Sequence, residues 1–249
     1  MKKVLIAGGS GFLGTHLITE LKKLNYKVIV LSRNKSKTER KLNYADEIIH
    51  WDYKTKSKEL VHIIEGISAV INLSGKNIFN GRWTSNHIKE IQDSRIIPTR
   101  ILAEAVTEAV NKPDVFINAS AVGYYGIDYE TMKNENSPPG NDFLADLCKQ
   151  WENALQPAKL SGIRTIPIRF GVITSNSGGA LQRILLTKKF RIIFLPGSGK
   201  QKVSYIKLEN AVSVIIKVLE NENLTEPVNA VEQEPLTFKE LVSNYLENS

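Results

Sequence analysis

The sequence predicts an α/β protein with a Rossmann-type doubly wound parallel sheet and a small C-terminal lobe. Short apolar runs rich in β-branched residues alternate along the chain with segments of helical periodicity, which is typical of a parallel sheet with helices on both faces. A glycine-rich loop joins the first apolar run to the first helical segment and supplies the tight turn needed there. The chain of 249 residues, 42% of them hydrophobic, is long enough to build a large core.

Six short runs are predicted to form the first strands of the sheet. The run from Lys3 to Ala7 is apolar, β-branched and followed by glycines, which indicates a buried parallel strand. The later runs repeat this pattern, and helical segments separate them. In chain order the six predicted strands are Lys3–Ala7, Lys27–Leu31, Glu47–His50, Ala69–Leu73, Val115–Ala119 and Arg164–Ile168.

Helical periodicity follows the first run and recurs later. Leucines from Leu13 to Leu24 are spaced by four, four and three residues, as the apolar face of an amphipathic helix requires. Beyond Gly171 the pattern is less regular: Gly178-Gly179 is predicted to open a helix, residues 195–200 a loop, and a last short strand precedes a terminal helix. The other predicted helices are Thr84–Val110, broken near Pro98, Asp142–Leu160 and Leu208–Leu219.

The pattern of strands and helices predicts two parts of the chain, and the composition limits the class of protein. We expect residues 1–171 to form a Rossmann domain and residues 172–249 to form a lobe interleaved with the last sheet elements. The single Cys148 cannot form an intramolecular disulfide, and no cysteines and histidines have zinc-ligand spacing. No apolar run approaches the roughly 18 to 20 residues of a membrane span. We therefore expect a cytoplasmic protein without membrane partner or metal.

Positive charge is concentrated in two parts of the chain, of which the first, residues 1–58, has 13 basic and 5 acidic residues. The formal net charge is +7, and between Asn153 and Leu208 there are ten basic residues and no acidic one. One interpretation is an ordinary solvated surface; the other is a positive field over a site for an anionic small molecule. Interleaved aromatic residues and known nucleic-acid motifs are missing, so we expect no nucleic-acid partner.

The glycine loop has the spacing of a dinucleotide-binding turn. Gly8, Gly11 and Gly14 stand at intervals of three, between the first strand and the first helix. The first glycine permits the turn, the second lets a pyrophosphate approach the backbone, and the third allows close helix packing. We therefore predict that the loop, with its Phe12 and Leu13, binds a dinucleotide rather than serving only as a turn.

The end of the second strand carries Ser32-Arg33 where an NAD-binding protein would place an acidic residue. A carboxylate there accepts a hydrogen bond from the ribose 2′-hydroxyl, whereas an arginine accommodates a 2′-phosphate. The pair Ser32-Arg33 therefore favours NADP(H). The alternative is an arginine that is simply solvated after a strand.

Further motifs in order along the chain extend this pattern. Together they resemble the epimerase-family proteins of the atypical extended short-chain dehydrogenase/reductases, often labelled nucleoside-diphosphate-sugar epimerases or cell-division-inhibitor-like proteins. The resemblance spans nearly the whole chain and implies an NADP-binding Rossmann domain with a C-terminal substrate lobe. The motifs are Gly8–Gly14, Ser32-Arg33, Asn72–Gly75, Arg82-Trp83, Ser94-Arg95, Ser120–Gly126, Ser137–Pro139, Phe143–Ala145 with Trp151-Glu152, Arg169–Val172, Gly178–Leu181 and Gly197–Gly199 with Gln201.

The resemblance also implies which residues lie near the cofactor. Outside the glycine loop they are matched residue by residue within the motifs or on the helix between them. These residues are Ser32, Arg33, Leu73, Ser74, Gly75, Glu90, Arg95 and Arg169.

The chain departs from the superfamily at its usual acid. Aligning on Glu152 puts Leu144 and Cys148 where the active Tyr-x-x-x-Lys pair is expected. In that pair the lysine one helical turn away helps to depress the tyrosine pKa, which is roughly 10 when unperturbed. The literal string from Tyr129 to Lys133 lies in a polar stretch with little support for a helix, so we interpret it as a chance match.

Three residues after the fifth strand remain as catalytic candidates. Ser120 can hydrogen-bond a substrate oxygen, and Tyr124 or Tyr125 can replace the missing acid or form an aromatic wall of the pocket. The lobe also departs from the family, with Lys207 and Asn210 at positions where a histidine and an aspartate are common. Relatives usually continue past Ser249, so we expect the chain to be shortened or incomplete.

Two functions follow as hypotheses. The first is an NADP(H)-dependent oxidoreductase or epimerase-like protein that acts on a small or nucleotide-linked carbonyl or alcohol. The second is a non-catalytic NADP(H)-binding regulator, which the loss of the Tyr/Lys pair favours.

Overall fold

A seven-stranded, fully parallel sheet forms the centre of the protein. The computed structural model describes residues 2–55, 58–78, 81–127, 131–175, 178–179 and 198–247. The strands in this part of the chain are β1 Lys3–Ala7, β2 Lys27–Ser32, β3 Glu47–His50, β4 Ala69–Asn72, β5 Val115–Ala121, β6 Arg164–Phe170, β7 Val172–Ser175, β8 Gly178–Gly179, β9 Lys202–Val203, β10 Tyr205–Lys207, β11 Val228–Ala230 and β12 Leu236–Thr237. The large sheet has the order β11-β6-β5-β4-β1-β2-β3.

Helices cover both faces of this sheet. They are α1 Phe12–Lys23, α2 Lys35–Lys41, α3 Lys58–Ile64, α4 Ser85–Glu108, α5 Phe143–Asn153, α6 Gln156–Leu160, α7 Leu208–Glu220 and α8 Phe238–Glu247. One core layer joins the sheet to α1 and α7, and the other joins it to α3, α4 and α6. A three-stranded sheet, β10-β7-β8, and a two-stranded sheet, β12-β9, complete the described part.

The sheet has its topological switch point between β1 and β4. The chain runs from β1 to β2 and β3 on one side, and then returns to place β4 on the other side of β1. Ala7 pairs with Asn72 at the ends of these strands, so the glycine loop and the segment after β4 emerge side by side. Ligands of open α/β sheets bind in the crevice at such a point.

The predicted doubly wound sheet is confirmed, and the six predicted strands are present with changes at their ends. β5 continues to Ala121 and β6 continues to Phe170. These extensions place Ser120 opposite Arg169 on neighbouring strands. Residues assigned by sequence to loops after the strands are therefore held by the sheet ladder.

Three helix predictions were wrong in detail. Helix α4 runs unbroken through Pro98, because its packing against α3, α5 and α6 holds it where one backbone hydrogen bond is missing. The predicted helix Asp142–Leu160 is two helices, and Pro157 in the first turn of α6 has no N–H to continue the ladder. Gly178-Gly179 forms strand β8, antiparallel to β7; residues 180–197, which include the remainder of that prediction, lie outside the described residues.

The C-terminal part contributes to the large sheet as well as to the smaller ones. β11 pairs with β6 and forms the edge of the seven-stranded sheet. The division at residue 171 stays a prediction. Within the described residues, no helix is both long and apolar enough to cross a membrane.

Candidate functional site

A cavity of about 1050 Å³ lies at the carboxyl ends of the central strands. One end is formed by the glycine loop and the segment from Leu73 to Ile78, and the other by the end of β5 and by residues of β9 and the segment after β11. Ser120, at the end of β5, is one of the lining residues. The cavity therefore connects the predicted dinucleotide loop with the predicted catalytic serine.

The glycine loop is built by close backbone contacts. Gly8 has φ +79°, and a Cβ atom there would lie 2.6 Å from the backbone carbonyl of Leu73. A Cβ atom on Gly14 would lie 2.7 Å from the carbonyl oxygen of Gly8. Gly11 caps α1 without a side-chain hydrogen bond, and Gly11, Phe12, Leu13 and Gly14 line the cavity. The first N–H groups of a helix favour an anion. This cradle fits the pyrophosphate of a dinucleotide.

Ser32 ends β2 and Arg33 follows it, but neither residue lines the cavity. The Ser32 hydroxyl is buried, lies 2.6 Å from the Thr38 hydroxyl and accepts the Asn34 N–H at 3.2 Å. Ser32 thus shapes the turn into α2, while the Arg33 guanidinium lies 5.7 Å from the ring centroid of Tyr53. Their roles toward the cofactor stay predictions.

Tyr53 is a site residue that the sequence reasoning missed. Its hydroxyl accepts the N–H of Gly8 at 2.9 Å and donates to the carbonyl of Leu31 at 2.8 Å. Its backbone has φ 65°, a region that non-glycine residues enter at some cost and that clusters at functional sites. The signal available in the sequence was its place three residues after the end of the third parallel strand, at the same edge as the glycine loop.

A buried polar network holds the segment after β4. The Asn72 side-chain oxygen accepts the Ser74 N–H at 3.1 Å and the Ser74 hydroxyl at 2.5 Å. The Asn72 amide donates to Asn118 at 2.7 Å and to Thr99 at 2.8 Å. The predicted cofactor residues Leu73, Ser74 and Gly75 therefore form a rigid cavity wall.

The two predicted cofactor residues on α4 differ in position. Arg95 lines the cavity and lies 5.2 Å from the ring centroid of Trp151, and a Cβ atom on Gly75 would lie 3.4 Å from the Arg95 guanidinium carbon; burial lowers the pKa of Arg95. Glu90 lies away from the cavity wall and pairs with Lys76, whose ammonium lowers the pKa of Glu90. Arg95 is thus placed to contact a ligand, whereas Glu90 positions Lys76 at the cavity edge.

Ser120 forms a hydrogen bond to a buried ion pair that was not predicted from the sequence. Its hydroxyl donates to Oε1 of Glu152 at 2.7 Å. Arg169 donates to the same oxygen through Nε at 2.9 Å and to Oε2 through Nη2 at 2.8 Å. The side chains of Arg169 and Glu152 are only 3% and 13% exposed. Arg169, which was predicted to lie near the cofactor, therefore forms an ion pair with Glu152.

The two tyrosine candidates surround the Arg169 guanidinium. Its carbon lies 3.6 Å from the ring centroid of Tyr124, and Nη1 donates to the Tyr125 hydroxyl at 2.8 Å. Burial opposes the charge of Arg169, but the bonds to Glu152 and Tyr125 outweigh burial, so the Arg169 pKa is raised. The Tyr125 hydroxyl donates to Asn229 at 2.7 Å. Of the pair, Tyr125 lines the cavity and Tyr124 does not.

The positions of the usual Tyr/Lys pair form an apolar wall. Leu144 and Cys148 both line the cavity on α5. Burial raises the pKa of the Cys148 thiol to about 11, so the thiol stays protonated near neutral pH. Tyr129 of the literal Tyr-x-x-x-Lys string lies outside the described residues.

The basic residues between Asn153 and Leu208 have different positions in the structure. Lys202 lines the cavity, whereas Arg164 donates to the carbonyls of Val218 at 3.1 Å and Leu224 at 2.9 Å and so holds the end of α7. The prediction that the whole segment attracts an anionic substrate is not tested by these contacts. Four of its basic residues lie outside the described part of the chain: Arg183, Lys188, Lys189 and Arg191.

The chain is similar to known proteins over nearly its whole length. Residues 4–150 match the model of the NAD dependent epimerase/dehydratase family. An epimerase family protein of Mycobacterium bovis is 35% identical over 242 residues, which cover 97% of this chain and 77% of the relative. A Bacillus subtilis epimerase family protein is 36% identical over 241 residues, covering 95% and 76%.

Solved structures show the same architecture. The crystal structure of a human epimerase family protein with NADPH superposes with a TM-score of 0.84 at 29% identity, covering 97% of this chain and 78% of the human one. A Bacillus cereus UDP-glucuronic acid 4-epimerase with UDP-glucuronic acid and NAD has a TM-score of 0.82 at 17% identity, covering 98% and 82%. The second likeness concerns the fold alone.

Proposed function

This chain belongs to the NAD dependent epimerase/dehydratase family, and from that premise we propose that it is an NADP(H)-binding oxidoreductase or epimerase-like protein. Its substrate is a small or nucleotide-linked carbonyl or alcohol. The observation that carries the proposal is that the glycine cradle and Ser120 line the same cavity. NADPH in the human relative supports the choice of cofactor.

The residues present fit a dinucleotide. The N–H groups at the start of α1 would hold the pyrophosphate, and Arg33 would pair with the 2′-phosphate. The wall from Leu73 to Gly75 and the Arg95 guanidinium would continue the site toward Ser120. When bound, the nicotinamide supplies hydride chemistry, and the protein supplies orientation and electrostatics.

Ser120 is proposed to orient the reacting oxygen. Because its proton is directed to the Glu152 carboxylate, the oxygen of Ser120 presents lone pairs to the cavity. It therefore accepts a hydrogen bond from a substrate hydroxyl better than it donates to a carbonyl. Glu152 and Arg169 hold this orientation, and Tyr125 supports Arg169 at the cavity wall.

Charge reversal at Arg33 tests the choice of NADP(H). We expect Arg33→Glu to weaken NADPH binding at least roughly tenfold more than NADH binding, because a carboxylate repels the 2′-phosphate and accepts from a 2′-hydroxyl. Isothermal titration calorimetry with both nucleotides measures the two affinities. Lys35→Glu, a neighbouring exposed charge paired with Glu39, is the control. Equal losses for both nucleotides in Arg33→Glu contradict the assignment.

Removal of the Ser120 hydroxyl tests the catalytic role. We expect Ser120→Ala to lower kcat roughly a hundredfold while leaving NADPH affinity within about twofold, as expected for loss of a positioned polar group. Tyr124→Phe and Tyr125→Phe are measured beside it, by the nicotinamide absorbance change with a panel of carbonyl, alcohol and nucleotide-sugar substrates. Turnover that survives all three substitutions defeats this assignment, even with the protein class correct.

A non-catalytic NADP(H)-binding regulator is the second candidate. The apolar pair Leu144 and Cys148 at the place of the usual acid favours it. Tight NADPH binding with no substrate-dependent turnover across the panel supports the regulator, and turnover supports the enzyme.

A further inference from the structure

Tyr53 joins the glycine loop to the arginine that is proposed to select NADP(H). We propose that Tyr53 is a specificity-determining residue. Its hydroxyl contributes to the affinity for both nicotinamide nucleotides, whereas its ring contributes to the affinity for NADPH alone. The inference rests on the proposed function, because it concerns the selectivity assigned to Arg33.

The hydroxyl of Tyr53 ties the ends of two strands together. It accepts the N–H of Gly8, directly after β1, at 2.9 Å and donates to the carbonyl of Leu31, in β2, at 2.8 Å. Gly8 begins the cradle and has no freedom to move toward Leu73, whose backbone closes the other side. The hydroxyl therefore sets the position of the loop that would grip the pyrophosphate, a group that NADPH and NADH share.

The ring of Tyr53 lies beside the Arg33 guanidinium. The Arg33 guanidinium carbon lies 5.7 Å from the ring centroid, and the Trp51 ring packs against Tyr53 at 4.5 Å. Among the described residues, no carboxylate forms an ion pair with Arg33. An aromatic face orients a guanidinium without neutralising it, so its N–H donors stay free for a phosphate. A 2′-phosphate is present in NADPH and absent from NADH.

The turn that carries Tyr53 is locked by its neighbours. The Asp52 carboxylate accepts the N–H groups of Lys54 at 2.8 Å and Thr55 at 2.9 Å, and the Trp51 indole donates to the Thr55 carbonyl at 2.9 Å. These bonds hold Tyr53 at its positive φ of 65°. The turn itself thus holds the ring and the hydroxyl, which lowers the ordering cost of binding.

Two substitutions at Tyr53 separate its two groups. Tyr53→Phe keeps the ring and removes the hydroxyl, so we expect NADPH and NADH to bind roughly fivefold or more weakly, with their affinity ratio unchanged. Tyr53→Leu removes the ring as well, so the NADPH-to-NADH affinity ratio should fall a further three- to fivefold, about the value of an exposed cation–π contact. Calorimetric titration of each purified variant with both nucleotides gives the ratios.

The controls keep the result specific. Tyr44→Phe removes another hydroxyl, on an exposed side chain that donates to Thr15 at 3.3 Å, and should change neither affinity. Tyr53→Met replaces the leucine variant if that variant does not fold. In an Arg33→Met background the leucine substitution should no longer lower the ratio.

The proposal is overturned if Tyr53→Leu preserves the ratio, or if Tyr53→Phe lowers it as much as Tyr53→Leu. This outcome differs from failure of the proposed function, in which the unsubstituted protein itself shows no NADPH binding or no preference that depends on Arg33.

Discussion

Replacing Arg169 with methionine is expected to destabilise the protein by about 3–5 kcal/mol, the usual cost of breaking a buried ion pair from one side. The Glu152 carboxylate would stay buried with the Ser120 hydroxyl as its remaining partner, and the Tyr125 hydroxyl would lose its donor. Urea unfolding, followed by tryptophan fluorescence, measures the change in the free energy of unfolding.

Two comparisons show whether the buried charge is responsible. In the double variant Glu152→Gln with Arg169→Met no uncompensated charge is left, so it should recover part of the loss. Lys149→Met breaks an exposed ion pair with Asp146 on the same helix, α5, and should change stability by less than about 1 kcal/mol. A loss below about 1 kcal/mol in Arg169→Met would show that this pair does not organise the site.

A methyl group at Gly8 is expected to weaken NADPH binding roughly a hundredfold, as a displacement of about 1 Å in a positioned site can do. The added Cβ atom would lie 2.6 Å from the Leu73 carbonyl carbon and oxygen and 2.7 Å from the Ser74 nitrogen. These are backbone atoms, so the glycine loop and the opposite cavity wall must separate. Crowding should cost about 1–3 kcal/mol of stability, in addition to about 1–3 kcal/mol for the positive φ.

Gly66→Ala is the matched control for the energetic cost of the positive φ. Gly66 has a similar φ of +68°, and no atom lies within 4 Å of an added Cβ. This variant should show the cost of the backbone conformation without the crowding, and it should bind NADPH normally. If Gly8→Ala loses no more stability than Gly66→Ala and keeps its NADPH affinity, neither stability nor NADPH binding depends on the close approach of Gly8 to Leu73.

The elements that the sequence predicted well have a local cause. Strand β1 and helix α1 follow from a short β-branched run, three spaced glycines and a leucine face, which all lie within the first 24 residues. Gly8 and Gly14 are needed because backbone atoms occupy the space of their side chains, and the spacing of the glycines already indicates this. The site residues Leu73, Ser74 and Gly75 were reached through the resemblance to a family.

Other local patterns were misleading where tertiary packing opposed them. Pro98 predicted a break that the packing of α4 prevents, and Gly178-Gly179 predicted a helix start where pairing with β7 makes a strand. A Cβ atom on Gly178 would lie 2.8 Å from the Phe12 ring, so the glycine serves close packing in this case. Such contacts between distant residues leave no signal in local periodicity.

The sequence by itself determined the parallel sheet, the glycine cradle and the expectation of NADP(H), because each depends on neighbouring residues or on their regular spacing. Only the tertiary structure decided what surrounds Ser120 and what holds Gly8. Ser120 is separated from Glu152 by 32 positions and Gly8 from Tyr53 by 45. Gly8 and Tyr53 meet because the parallel strands end at one edge of the sheet, whereas Ser120 meets Glu152 because helix α5 packs against β5. The direction in which the Ser120 hydroxyl donates is thus a property of the fold.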